Sequence, residues 1–196
     1  MQKINEATSR LLARGISLEA ITTAQIAAEA GVSVGALYRF FPDKQAIIDA
    51  LAVRRVEEFQ AALFGGLPAG SLSAENLPAM LAMMDGPALL AYVLDAFVEF
   101  LESYPDLVTI AYGGQHISRG TRERQSGADA GVAVLIKRHM VQVLGVALTP
   151  ELDLRLRIAC EVGDRLLGLA MAQTERPARQ NIIAEAKRLL SAYLFP

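Results

Sequence analysis

The chain has 196 residues, of which 53% are hydrophobic and 20% are charged, and its formal net charge is −2. This composition excludes a disordered chain, which needs low hydrophobicity and high charge. It also excludes a protein that binds nucleic acid through a large overall positive charge. Aromatic residues make up only 6%, so the apolar excess lies mainly in Ala, Leu, Val, Ile and Met. Because Ala and Leu are strong helix formers, we expect an all-α protein. The apolar excess also indicates that a chain of this size has a partner surface to cover or a cavity to line.

Cysteine usage and the N-terminus bear on location. Cys160 is the single cysteine, which excludes an internal disulfide and favours a reducing compartment. The first residues lack the apolar core of a secretory signal, and no uninterrupted apolar run has the roughly 18 residues of a spanning helix. We therefore expect a cytoplasmic protein.

Helical periodicity runs through the whole chain, whereas strand signals are weak. Four predicted helices precede a linker rich in Gly, Pro and Ser over residues 65–78, and five follow it. The expected bounds are about 3–14, 23–30, 34–41, 44–64, 86–104, 105–117, 124–146, 151–173 and 178–195.

The segment from Thr22 to Asp43 carries the local signals of two short helices that meet at a tight turn. Thr22 and Gln25 have the spacing of a capping box at the start of the first. Gly31 stands where that helix must end in a left-handed residue. Ser33 then suits the start of the second, and Asp43 suits the start of the long fourth helix.

Apolar residues in this segment recur at the spacing that buries the inner sides of both short helices. They are Ile26, Ala30, Val32, Leu37 and either Phe40 or Phe41. The pattern is typical of a helix-turn-helix, whose second helix can enter the major groove of DNA. The residues on the outer side of that second helix are Ser33, Val34, Gly35, Ala36, Tyr38 and Arg39.

The whole string is more specific than a generic helix-turn-helix. Its distinctive elements are Thr22 to Ala27, Ala30-Gly31-Val32-Ser33, Leu37-Tyr38 and Phe41-Pro42-Asp43-Lys44. With these elements, residues 4–60 resemble the N-terminal part of the TetR family of bacterial transcriptional regulators. The resemblance implies a helix-turn-helix DNA-binding domain over residues 1–45. The fourth helix would join it to an effector-binding and dimerisation domain over residues 46–196.

The resemblance also implies which residues contact DNA. Tyr38 and Lys44 would contact phosphates, and Thr22 and Thr23 look like a further phosphate clamp. Many relatives have Lys where Val34 stands here, so one contact is in doubt. Base reading falls to the outer residues of the recognition helix, where only Arg39 can make a bidentate contact with guanine. The full set of expected DNA-binding residues is Thr22, Thr23, Ser33, Val34, Gly35, Ala36, Tyr38, Arg39 and Lys44.

The DNA-binding part is only weakly basic. Residues 1–56 carry seven Lys or Arg and five Asp or Glu. We therefore expect binding to depend on a dimer and on a palindromic operator with two half-sites.

The last two predicted helices carry more apolar surface than one core can use. This excess favours a homodimer through a four-helix bundle, which the family resemblance also implies; a single buried core without dimerisation is the alternative. A two-fold dimer supplies the two recognition helices that a palindrome requires. The expected interface residues are Ala159, Gly163, Leu166, Ala170, Ile182, Ile183, Ala186, Leu189, Leu190 and Tyr193.

A regulator of this type would hold a small-molecule pocket between the linker and residue 173. Few ionisable groups lie on the apolar faces there, so we expect an apolar or amphipathic effector. Met80, Met83 and Met84 could form an adaptable rim or fill a core beneath the linker. The candidate effector-binding residues, each of which could instead be core, are Phe97, Leu101, Tyr112, His116, Met140, Cys160 and Leu167.

Signals for catalysis are weak. His116 and His139 are the only histidines, and no Gly-rich phosphate loop, His-x-x-x-His or Cys-x-x-Cys motif occurs. We expect a protein without enzymatic activity, metal or cofactor: a dimeric repressor that a ligand releases from its operator. One alternative is a helical small-molecule binding protein or enzyme with an incidental helix-turn-helix-like hairpin. The other is a DNA-binding regulator that responds to no ligand.

Overall fold

The computed structural model describes residues 1–63, 83–112, 133–134 and 136–196, and within these ranges it contains helices and no strand. The predicted all-α class is confirmed. The predicted linker and Met80 lie outside the described residues, and the helices predicted over 105–117 and 124–146 are described only in part. The helices are α1 Gln2–Ala13, α2 Thr23–Ala30, α3 Val34–Tyr38, α4 Lys44–Leu63, α5 Gly86–Ser103, α6 Pro105–Tyr112, α7 over residues 136–142, α8 Pro150–Met171 and α9 Arg176–Leu194.

Side-chain caps begin the helices where the sequence predicts them. Thr22 Oγ1 accepts a hydrogen bond from the Gln25 amide at 3.2 Å, and Gln25 Oε1 accepts one from the Thr22 amide at 2.9 Å. These two bonds form the predicted capping box. Asp43 Oδ1 accepts a hydrogen bond from the Ala46 amide at 2.8 Å at the start of α4. Each cap satisfies a backbone donor that the helix leaves unpaired, which is typically worth about 1 kcal/mol.

The described residues pack as two compact units. The N-terminal unit contains residues 1–58 and 100–112, and the C-terminal unit contains residues 59–63, 83–99, 133–134 and 136–196. This division follows packing, whereas the predicted boundary after residue 45 separates functions. Residues 46–58 and 100–112 pack with the first three helices because their apolar side chains complete the core there.

The core of the N-terminal unit joins α1 to α4 with one residue of α6. A buried Leu or Ile in such a core contributes about 1.5–3 kcal/mol through the apolar surface that it removes from water. Its buried members are Ile4, Leu11, Leu12, Ile21, Ile26, Ala27, Leu37, Phe41, Ile47, Ile48, Leu51, Ala52 and Ile110.

The core of the C-terminal unit is centred on the pairing of α8 with α9. A Cβ built on Gly163 would lie 3.4 Å from Leu190 Cδ1, so the glycine allows the two helices to approach closely. Leu90 and Val93 of α5 and Ile136 of α7 face the same apolar space as side chains of this pair. Leu89 and Met140 are buried in the same unit. No helix in the described part of the chain is both long and apolar enough to cross a membrane.

Candidate nucleic-acid interface and apolar cavity

The turn between α2 and α3 has the geometry that the sequence predicts. Gly31 ends α2 in the left-handed region with φ 66°, where a side chain would be strained. Its amide donates to the Ala28 carbonyl, and the Val32 amide donates to the Ala27 carbonyl. Ser33 Oγ then accepts a hydrogen bond from the Ala36 amide at 3.1 Å and begins α3. The two helices are therefore held in one relative orientation by local backbone bonds.

The inner side of this motif is buried. Ile26 and Leu37 are fully buried, and Ala30 and Val32 are half-buried. The sequence left open which of two aromatic residues is buried. Phe41 is the buried one at 3% exposed, whereas Phe40 is 55% exposed. Phe40 thus adds an aromatic surface to the exposed end of the motif that sequence reasoning did not assign there.

The outer side of α3 is open to solvent. Ser33, Gly35 and Arg39 are exposed, Val34 is 40% exposed, and Ala36 is half-buried. A Cβ built on Gly35 would have no neighbour within 4 Å, so packing within the chain does not require glycine there. The small residues allow the backbone of α3 to come close to a partner surface, and Arg39 supplies one guanidinium for contacts with it.

Two hydroxyl groups meet at the start of α2. Thr23 Oγ1 lies 3.2 Å from Tyr38 OH, and the tyrosine is 49% exposed. Only one hydrogen is needed between the two oxygens, so the other hydroxyl can donate outward. Thr22 differs, because its hydroxyl donates to Gln25 Oε1 and accepts from the Gln25 amide within the capping box.

The ammonium group of Lys44 is turned towards the loop between α1 and α2. Its Nζ donates to the Leu18 carbonyl at 2.8 Å and to the Glu19 carbonyl at 3.3 Å. Lys44 is half-buried and is the first residue of α4. At least two of its three donor hydrogens are therefore directed at the chain itself.

A cluster of ion pairs joins α1 to α2. Arg10 Nε lies 2.8 Å from Glu29 Oε1, and Arg14 Nη1 lies 3.1 Å from Glu29 Oε2. The hydrogen bond from Arg10, helped by Arg14, holds the pKa of Glu29 below its ordinary value. These exposed pairs set the contact between two helices and add little to stability.

A second and more buried cluster surrounds Arg55 of α4. Its Nε and Nη2 donate to Asp106 Oδ2 at 2.9 and 2.7 Å, its Nη2 donates to Ser9 Oγ at 2.9 Å, and its guanidinium lies over the Tyr104 ring. Burial alone lowers the pKa of Arg55, but hydrogen bonds to Asp106 and Glu58 outweigh it and leave the pKa above its ordinary value. The cluster ties α1, α4 and the start of α6 together inside the N-terminal unit.

An apolar cavity of about 70 Å³ lies inside the C-terminal unit. Of the candidate effector-binding residues, Phe97, Cys160 and Leu167 line it, and Phe97 packs edge-on against Phe59 with 4.8 Å between ring centroids. Sequence reasoning missed most of its wall. The other lining residues are Phe59, Leu90, Val93, Leu94, Ile136, Leu156, Ala159, Gly163, Asp164, Leu190 and Leu194.

The remaining effector candidates lie elsewhere. Met140 is buried in the C-terminal unit but does not line the cavity, whereas Leu101 and Tyr112 belong to the N-terminal unit. His116 lies outside the described residues. Met83 is 87% exposed, and Met84 is half-buried.

The candidate interface residues of the last two helices fall into two groups. Ala159, Gly163, Ala170, Ile183, Ala186 and Leu190 are buried within the unit, whereas Leu166, Ile182 and Tyr193 are half-buried and Leu189 is 51% exposed. Sequence reasoning did not assign the exposed apolar side chains Leu154, Ile158 and Leu169 of α8. Their spacings of four and eleven residues, which place them on one side of a helix, are the signal that could have found them.

Among the described residues, no group of three or more His, Cys, Asp and Glu side chains is placed to hold a metal ion. His139 is fully buried, and within the part of the chain that the structure describes neither ring nitrogen has a close hydrogen-bond partner. Burial lowers the pKa of His139 below its ordinary value, since the charged imidazolium would be desolvated.

Comparisons with known families and structures agree with these observations. Residues 4–51 match the family model described as "Bacterial regulatory proteins, tetR family", and residues 87–194 match "Tetracyclin repressor-like, C-terminal domain". No curated protein sequence matches the chain.

Solved structures of similar fold cover almost the whole chain. A TetR-family transcriptional regulator from Streptomyces coelicolor is 26% identical, with a TM-score of 0.69 over 98% of this chain and 96% of the other. A TetR transcriptional regulator from Rhodococcus sp. RHA1 is 15% identical, with a TM-score of 0.65 over 98% and 94%. The capped helix-turn-helix and the two family models together show that the chain belongs to the TetR family of bacterial transcriptional regulators.

Proposed function

We propose that the protein is a homodimeric repressor that binds a palindromic DNA operator and leaves it when a small apolar or amphipathic ligand binds. Such a protein would act in the cytoplasm, where bacterial DNA lies. The observation that carries the proposal is the open outer side of α3, next to the hydroxyl pair of Thr23 and Tyr38 at the start of α2.

Phosphate contacts would set the position of the protein on the duplex. The hydroxyl that is not used between Thr23 and Tyr38 can donate to a phosphate oxygen, and the α2 N-terminus adds backbone amides and the positive end of the helix dipole. Thr22 supports this site by starting the helix, since its own hydroxyl is engaged in the capping box. Such contacts fix register without reading sequence.

Base reading would come from the outer side of α3 in the major groove. Arg39 can contact guanine O6 and N7 with two hydrogen bonds, and Val34 and Ala36 can touch thymine methyl groups. Ser33 can contact either kind of base pair, and Gly35 allows the backbone to come close. We therefore expect half-sites that contain a guanine beside A·T pairs.

The second recognition helix would come from a second copy of the chain. In α8, Leu154, Ile158 and Leu169 are 47%, 40% and 53% exposed, and Leu189 of α9 is 51% exposed. These apolar side chains support a seam between copies, as does the excess of apolar residues in the sequence. Sedimentation of Ile158→Glu should show monomers, and Leu148→Glu, altered at an exposed leucine outside the helices, should stay dimeric.

The ligand would enter the C-terminal cavity. Its walls are almost wholly apolar, apart from Asp164 and Cys160, which supports an apolar or amphipathic effector. A dry cavity of about 150 Å³ suffices for benzene, so an effector of that size would require the lining side chains to move. A ligand that prefers the rearranged state would shift the dimer away from the DNA-binding state by its difference in affinity for the two.

A salt-titrated binding assay tests the proposal. We expect the full chain to bind a duplex from upstream of its own coding sequence. The logarithm of its affinity should fall linearly with the logarithm of the salt concentration. Tyr38→Phe should weaken binding to all duplexes alike, whereas Arg39→Ala should relax base preference at one position by about 1–3 kcal/mol. Absence of duplex binding at about 50 mM salt would refute the proposal.

A further inference from the structure

An open groove of about 740 Å³ lies between the start of α1 and one side of α4 in the N-terminal unit. We call it the α1–α4 groove. It shares no residue with the outer side of α3 or with the C-terminal cavity, so neither of the proposed sites uses it. Its lining residues, which on α4 extend over about three turns, are Met1, Gln2, Asn5, Ala46, Asp49, Ala50, Val53, Arg54 and Glu57.

Asn5 gives the α1–α4 groove a buried hydrogen-bond acceptor. The residue is 8% exposed, and within the part of the chain that the structure describes its Oδ1 has no hydrogen-bond partner. An acceptor in this state has lost its bonds to water without gaining others, which is unfavourable, whereas an apolar side chain of similar size would avoid the loss. The polar side chain therefore indicates a ligand that brings a hydrogen-bond donor.

Two carboxylates on the same side of α4 border the groove. Asp49 is half-buried, and its Oδ1 accepts from Gln45 Nε2 at 2.9 Å, a neutral donor that leaves the negative charge in place. Glu57 is exposed. The two residues are eight positions apart, which separates them by about 12 Å along the helix. A ligand that meets both carboxylates must be extended and must carry two positive groups.

The positive side chain in the groove, Arg54, does not cancel these charges. Its Nε lies 2.8 Å from Glu58 Oε1, and Glu58 also pairs with Arg55, which Asp106 holds from its other side. These two arginines and two carboxylates balance one another. The charges of Asp49 and Glu57 therefore remain as an excess on the groove side of α4.

We propose that the α1–α4 groove binds a linear organic cation with two or more ammonium groups, which is the chemistry of a polyamine. The ammonium groups would pair with Asp49 and Glu57 and donate to Asn5 Oδ1. The methylene groups between them would pack on Ala50 and Val53, which lie between the two carboxylates on the same side of the helix. The site is independent of the proposed DNA-binding function.

Spermidine, a linear triamine, is the probe. Isothermal titration calorimetry of the 196-residue chain without DNA, at about 0.15 M salt, measures its affinity and stoichiometry. We expect one spermidine per chain, and propylamine, which has a single ammonium, should bind at least about tenfold more weakly. A dissociation constant for spermidine above about 1 mM, or equal affinities for the two amines, would overturn the proposal.

Glu57→Gln keeps the shape of the side chain but removes its charge, so it should weaken spermidine binding about tenfold. The matched control is Glu19→Gln, which removes the same charge from an exposed position of the same unit outside the groove. The control should bind spermidine like the wild type. Equal losses in the two variants would show adsorption to the overall negative charge and would overturn the proposal.

Asn5→Leu separates the site from the stability of the fold. Replacing an unpaired buried amide with an apolar side chain should raise the midpoint of thermal unfolding, while spermidine binding should fall about tenfold. Folded Asn5→Leu that binds spermidine like the wild type would overturn the proposal, and Glu57→Gln decides it if Asn5→Leu does not fold. A change of oligomeric state on sedimentation of either variant would assign the groove to an interface between copies and would also overturn it.

Discussion

The N-terminal and C-terminal units are stabilised in different ways. The N-terminal unit buries a guanidinium and a carboxylate together, with Arg55 bonded to Asp106 and Ser9. The C-terminal unit has a largely apolar interior with a cavity and with the buried imidazole of His139. Directional polar bonds fix one arrangement of side chains in the N-terminal unit. The unfilled volume in the apolar core of the C-terminal unit allows its side chains to adopt a second arrangement. Geometry is therefore held more tightly in the unit that carries the proposed DNA site than in the unit that carries the proposed ligand cavity.

Loss of the buried ion pair should change stability the most. Asp106→Ala should lower the free energy of unfolding by about 3–5 kcal/mol, because Arg55 would stay buried without its main counter-ion. Urea denaturation measures the change. Glu58→Gln removes the more exposed carboxylate that contacts the same arginine, and it should cost about 1 kcal/mol or less. Equal losses in the two variants would contradict the distinct role given to Asp106.

Enlarging the cavity is the matching perturbation of the C-terminal unit. Leu167→Ala should cost about 2–5 kcal/mol, since it removes a buried wall and the helices around it relax only in part. Benzene should then raise the midpoint of thermal unfolding in Leu167→Ala more than in the wild type. Leu148→Ala, at a 65% exposed position, should change stability by less than about 0.5 kcal/mol. A cavity that collapses in Leu167→Ala would show no benzene effect.

Substitutions at two adjacent threonines at the start of α2 should affect different quantities. One should lower mainly the stability of the protein, and the other mainly its affinity for duplex DNA. Thr22→Ala should lower the free energy of unfolding by about 1 kcal/mol, because it removes the hydroxyl that accepts from the Gln25 amide and donates to Gln25 Oε1. Thr23→Ala should cost less stability but more duplex affinity, since its hydroxyl pairs with Tyr38. Thermal unfolding and fluorescence anisotropy measure the two quantities. The reverse ranking would assign the phosphate contact to Thr22.

The buried imidazole should affect mainly the pH dependence of stability. Burial lowers the pKa of His139, so the unfolded chain takes up a proton at higher pH than the folded chain. Stability from this group is therefore present above the ordinary histidine pKa and is lost as pH falls below about 6.5 towards the folded value. His139→Phe should flatten the fall in stability between about pH 7 and 5. Parallel stability curves for His139→Phe and the wild type would show that the imidazole is not desolvated.

The two units also differ in how far sequence predicts them. Local chemistry predicts three features of the N-terminal unit, which are the cap at Thr22, the left-handed Gly31 and the cap at Ser33. Each of them depends only on residues that are near neighbours in the sequence. Lys44 and Leu18 are 26 residues apart, and no local pattern indicates that they meet. Phe40 and Phe41 both suit the end of a short helix, and only the packing of the core distinguishes them.

Tertiary packing also decides which apolar residues of the later helices line the cavity. Leu101 and Phe97 lie one turn apart on the predicted apolar face of α5, yet Leu101 belongs to the N-terminal unit and Phe97 lines the cavity. Likewise Ala159 and Gly163 pack within the chain, whereas Ile158 faces outward. Periodicity predicts that a face is apolar but not which neighbour covers it.

Selection of duplexes from a random pool by the 196-residue chain tests whether two copies of the chain read DNA sequence together. A dimer with two recognition helices should enrich a palindrome whose half-sites are centred roughly 10 base pairs apart, one helical turn, or a multiple of that distance. Arg39→Ala should lose preference at a guanine in each half-site. Recovery of random sequence with no palindrome, or an enriched site to which Arg39→Ala and the wild type bind with the same preference, would contradict sequence reading by a dimer.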